Sequence, residues 1–100
     1  MKAIFNGVVI AESTETKVVE GNHYFPHDSV QTKYFTDSDT PYTCPWKGPA
    51  SYYNATIEGQ NVPDIAWYYP KTITDRAKPI ENYVAFDKVC YFHLLYLVYG

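Results

Sequence analysis

Cysteine is scarce: Cys44 and Cys90 are the only two in 100 residues, they lie far apart, and they form no C-x-x-C pair. A secreted domain this small more often carries several bridges, so the pattern points to a reducing compartment, the cytoplasm. Positive charge is scarce too. Eight Lys/Arg against eleven Asp/Glu leave a net charge of −3 with no basic cluster, which argues against a nucleic-acid partner. Long apolar runs are missing. The most apolar stretch, residues 89–99, is broken by His93 and falls short of the roughly 20 residues that span a bilayer. Asn6 and Gly7 interrupt the beginning of the chain, so it does not read as a signal peptide. Internal repeats and a G-x-x-x-x-G-K phosphate loop are absent as well, and helical periodicity is almost absent.

Aromatic residues, by contrast, are abundant. Eleven Tyr, five Phe and two Trp exceed what a core of this size needs. A buried tyrosine needs a partner for its hydroxyl, so the excess of Tyr over Phe favours a semi-polar concavity over a dry core. Short alternating segments separated by turn residues predict an all-β fold of mainly antiparallel strands, either a folded sheet or a barrel, with at most one or two short helical turns. Asn6-Gly7 between Lys2–Phe5 and Val8–Ala11 is a strong hairpin signal. Further strands are expected at 17–20, 30–34, 51–58, 65–69 and 83–86, with a helical turn opened by Pro26, a turn at 37–41 and a loop over 70–79.

The run Tyr42-Thr43-Cys44-Pro45-Trp46-Lys47-Gly48 places a cysteine and a lysine in a turn that feeds an aromatic strand. A lysine desolvated among aromatics is expected to have a lowered pKa, suiting it to nucleophilic or anion-binding work; the alternative is a cation–π brace. Cys44 is a second candidate nucleophile, provided that His23 or His27 folds over the turn. Pro26 interrupts the His23-x-x-x-His27 spacing and no paired cysteines exist, so no metal site and no cofactor is expected. Asp37-Ser38-Asp39 reads as turn capping more readily than as a magnesium-holding pair.

Four motifs in register carry a resemblance. Tyr24-Phe25-Pro26-x-Asp28-x-Val30, Thr43-Cys44-Pro45-x-Lys47-Gly48-x-Ala50-x-Tyr52-Tyr53, Ala66-Trp67-x-Tyr69-Pro70 and Ile80-x-x-Tyr83-Val84-Ala85-Phe86 resemble the signatures of a bacterial family, domain of unknown function 427. The resemblance implies a β-tent-like fold, as in methionine sulfoxide reductase B and the ligand-binding domain of cereblon. It implies no established activity, although the family is catalogued under a nucleotidyltransferase heading. It covers a single domain over residues 1–86, and residues 87–100 depart from the pattern as an apolar strand or tail. The combined expectation is a small-molecule site with Lys47, Tyr24, Tyr52, Trp67, Tyr69 and Tyr83 around one concave face. The alternatives are a nucleotidyltransferase-like enzyme using Lys47 or Cys44, and a homodimer joined through the apolar tail.

Overall fold

The structure, a computed structural model, describes residues 1–93. Nine strands appear in order: β1 (Lys2–Phe5), β2 (Val8–Glu12), β3 (Lys17–Val19), β4 (Asn22–Tyr24), β5 (Phe35–Cys44), β6 (Gly48–Ile57), β7 (Gln60–Tyr68), β8 (Val84–Phe86) and β9 (Tyr91–His93). Single 3-10 turns at His27–Ser29, Thr32–Tyr34 and Lys78–Ile80 are the remaining regular elements among the described residues. The strands form a sheet of order β2-β1-β9, a β3-β4 hairpin, and a four-stranded sheet of order β5-β6-β7-β8, each paired antiparallel. Among the described residues these sheets do not close into a barrel.

Three two-residue turns set the hairpin registers. Asn6-Gly7, Glu20-Gly21 and Glu58-Gly59 each hold both residues at positive φ, the geometry of a type I′ turn that matches the twist of its strands. Glycine takes the second place because it reaches φ near 80° without a Cβ penalty. The β3-β4 hairpin joins the large sheet just past Tyr24, where Phe25 and Val84 exchange two backbone hydrogen bonds of 2.8 Å.

That junction divides the interior by alternation. Phe25, Val84 and Phe86 point into a dry core with Ala3, Ile10, Ile57 and Ile65, where Phe25 and Phe86 meet edge to face at 5.5 Å. Their neighbours Tyr24 and Ala85 point the other way, into a second cluster with Cys44, Tyr69 and Ile80. The second cluster holds the tyrosines and borders the cleft described below.

Three segments differ from the expectation. Residues 37–41 are not a turn but the middle of β5, an edge strand with an irregular register between Ser38 and Tyr42. The bulge and the edge position accommodate Pro41, which has no N–H for a ladder. Thr32–Tyr34 is a 3-10 turn and not strand, with the Tyr34 N–H donating to Gln31 O at 3.1 Å. β7 begins at Gln60, since the two-residue turn leaves Gln60 and Asn61 paired to β6. The expected apolar tail is described only as far as β9, which pairs with β1; the rest of that expectation lies outside the described residues.

Candidate functional site

The Pro45-Trp46-Lys47 turn links the end of β5 to the start of β6, with Cys44 and Gly48 paired across its base. Gly48 has φ 110°, and a Cβ there would sit 3.0 Å from Lys71 O and 3.1 Å from Ile73 Cγ2. Only glycine therefore allows the 70–79 loop to lie against the turn. The loop is bonded there at two points: Ile73 N–H donates to Lys47 O (3.2 Å) and Thr74 Oγ1 to Trp46 O (2.8 Å). Arg76 stacks over the Trp46 ring at 4.0 Å. The loop itself is tied by Glu81, whose carboxylate accepts from Thr72 N–H, Thr72 Oγ1 and Lys78 Nζ and is held below its ordinary pKa by those bonds.

Clamped in this way, the Lys47 side chain turns inward and is only 4 % exposed. Its ammonium lies 4.9 Å from the centroid of Trp46 and 5.6 Å from that of Tyr69. It donates to one carboxylate oxygen of Glu20, at the tip of the β3-β4 hairpin. Around this pair is a cleft of about 250 Å³ lined by Glu20, Asn22, Tyr24, Tyr42, Lys47, Tyr52, Trp67 and Tyr69. Register explains the convergence: Tyr52 pairs with Trp67 across β6 and β7, and Tyr42 pairs with Ala50, two residues from Tyr52 on the same face. Tyr24 accepts a long hydrogen bond from the Trp67 indole at 3.4 Å. A larger hollow of about 500 Å³ exists between Thr72 and Lys78, but exposed loop residues form most of it. A buried charge distinguishes the aromatic cleft.

The electrostatics reverse one expectation. Burial pulls the Lys47 pKa down, but the hydrogen bond that it donates to Glu20, with the Glu20 charge beside it, outweighs burial, and the net shift is upward. Lys47 is held as a cation, not primed as a free amine. The sequence could not signal this, because the carboxylate that decides it stands 27 residues away. Glu20 is correspondingly held below the usual carboxylate range by that hydrogen bond and the Lys47 charge. Burial pushes the Tyr52 and Tyr69 hydroxyls up, so both are neutral donors at ordinary pH.

Of the residues expected around one face, Tyr24, Lys47, Tyr52, Trp67 and Tyr69 line the cleft. Tyr83 does not. It packs on the flank of the Tyr24–Tyr69 cluster with the Lys17 ammonium 4.6 Å over its ring. Cys44 is a free thiol buried behind the cleft, 6 % exposed. His27 is engaged elsewhere: Nδ1 donates to Asn82 O at 2.9 Å, which leaves Nε2 to accept from the Tyr53 hydroxyl at 2.8 Å. Ser38 and Thr40 both donate to the Asp64 carboxylate, at 2.6 and 2.7 Å. Among the described residues no group of three or more His, Cys, Asp or Glu is arranged to hold a metal ion. Glu20, Asn22 and Tyr42 were not anticipated. Period-two counting back from Tyr24 puts Asn22 on its side of the hairpin, a signal the sequence did contain, whereas Glu20 lies in the turn itself, where alternation does not apply.

The fold and cleft define a small antiparallel β-domain with a buried, carboxylate-paired lysine in a tyrosine-lined hollow. The chain belongs to the family described as Domain of unknown function (DUF427), whose profile matches residues 1–92. A comparison with curated proteins gives no match.

Proposed function

We propose that the domain binds a small, flat, anionic or carbonyl-bearing molecule in the aromatic cleft, with Lys47 meeting the polar group and Tyr52 and Trp67 offering ring faces. The observation that carries this reading is the burial of the Lys47 ammonium among aromatic rings. Burying a charge is costly, and a hydrophobic residue of similar volume would serve stability as well or better. At about 250 Å³ the cleft is below the ~300–1,000 Å³ of drug-sized sites, so the ligand is small. A cationic lysine suits holding a ligand more than attacking it, so binding is preferred to catalysis. Both cysteines are free and buried, which supports a reducing compartment.

Small aromatic acids and amides screened by tryptophan fluorescence should give saturable binding that Trp67→Phe and Lys47→Met each weaken at least about tenfold. Equal binding by both variants would remove the reading. Turnover of a nucleoside triphosphate with magnesium, lost in Lys47→Met, would instead support the transferase alternative. A second reading, self-association, rests on β9, an edge strand among the described residues, with its own Tyr91 and the preceding Val89 exposed. Sedimentation showing a monomer at high concentration would remove that one.

A further inference from the structure

The cleft already contains an anion, the Glu20 carboxylate. Four observations bear on its role. Lys47 is buried, whereas the side chain of Glu20 is 57 % exposed, so the pair is asymmetric: one partner belongs to the floor and the other reaches in from solvent. Glu20 sits on a two-residue turn beside Gly21, where an added Cβ would meet open space, so nothing packs against the tip from outside. The hairpin is anchored away from the tip, by Lys17 donating to Pro79 O (2.9 Å) and by the Phe25–Val84 bridge. Finally, Tyr52 and Trp67 are 6.2 Å apart and tilted by 40°, leaving their faces unstacked against each other. Glu58 adopts the same left-handed conformation at its own turn, so conformation alone does not mark Glu20. The buried ammonium that it reaches does.

Resting on the binding function above, we propose that the ligand is a small aromatic carboxylate that binds by exchange, its carboxylate replacing that of Glu20 on Lys47 while the hairpin tip swings aside. A carboxylate is favoured because the cleft offers one ammonium and neutral tyrosine hydroxyls. A phosphate dianion calls for several cations or a cradle of backbone N–H groups. Arg76, whose charge also reaches Glu20, is stacked on Trp46 and does not line the cleft. Exchange keeps Lys47 paired before and after binding, so its desolvation cost is already met in the free protein. Glu20 thereby acts as a competitor covalently attached to the site.

The test compares benzoate, its neutral isostere benzamide and inorganic phosphate by calorimetry on the wild type and Glu20→Asn. Asn-Gly is the preferred type I′ pair, so the variant keeps the hairpin. Glu20→Asp, which retains the charge on a shorter arm, is a second variant should the first misfold. The expected result is about tenfold or greater tightening for benzoate in Glu20→Asn, a smaller gain in Glu20→Asp, unchanged benzamide binding and no preference for phosphate. In the wild type, saturation with benzoate should shift the Glu20 side-chain carboxyl resonance. Unchanged or weaker benzoate binding, an equal gain for benzamide, tighter phosphate than benzoate, or a static Glu20 resonance each overturns the exchange while leaving the binding function standing. Failure of both proteins to bind benzoate and benzamide overturns the two together.

Discussion

Lys47 and Cys44 are three residues apart in the sequence and meet opposite fates. The ammonium reaches a carboxylate and stays charged, whereas the thiol is packed against Tyr24, Tyr69 and Ile80. Cys90 is buried in the other core with its pKa pushed up to about 12 by burial, with the charge of Asp87 adding to it. Since thiolate is the reactive form and neither sulfur is open to solvent, an aromatic disulfide reagent at neutral pH should label neither cysteine until denaturant is added. Rapid native labelling of Cys44 would favour the nucleophile reading. Tyr53 behaves similarly: burial, helped by Tyr68, moves it to about 12. A spectrophotometric titration of the folded protein should therefore show Tyr52, Tyr53 and Tyr69 ionising above the ordinary tyrosine value of 10.0. Their ionisation at that value would contradict that environment.

At the level of elements, the Pro45–Lys47 turn and the loop behind it act as one unit, joined through Gly48. Gly48→Ala forces a Cβ against the Lys71 carbonyl and a left-handed φ onto alanine, and should destabilise the domain by about 1–3 kcal/mol in urea melts. Stability within a few tenths of wild type would mean that the loop does not rest there. Such tight placement was only partly legible in the sequence. Lys47-Gly48 marked the turn, and the motifs carried Tyr24, Tyr52, Trp67 and Tyr69, so most of the cleft could be read locally. Glu20 could not be, because pairing it with Lys47 depends on how a separate hairpin docks through Phe25 and Val84. Tyr83 carried the same motif-level signal as Trp67, yet it precedes β8 and lies on the flank under Lys17. The Asp37–Pro41 segment read as a turn by composition because edge-strand bulges use the same residues as turns do.

For the whole molecule, the Glu20–Lys47 pair links stability to pH from both sides. Glu20 and Glu81 are held below the ordinary carboxylate value of 4.5, so their contribution is present above that pH and lost as pH falls through the lower folded values. Lys47 is raised above 10.5, so its contribution is present below that pH and lost as pH rises through the folded value. Tyr52, Tyr53 and Tyr69, raised from 10.0, also lose their contribution on the alkaline side. Thermal melts should show a plateau between these limits, and Glu20→Asn should flatten its acid edge; an unchanged acid edge would separate Glu20 from stability altogether. Lys47 is, on this reading, a buried cation kept for ligand binding and not for folding. Lys47→Met tests it most directly, with melting temperature and binding measured on the same sample. The variant should melt above wild type or no more than about 4–8 °C below it and should lose aromatic-acid binding. A variant that melts far lower, or that binds as wild type does, would contradict that reading.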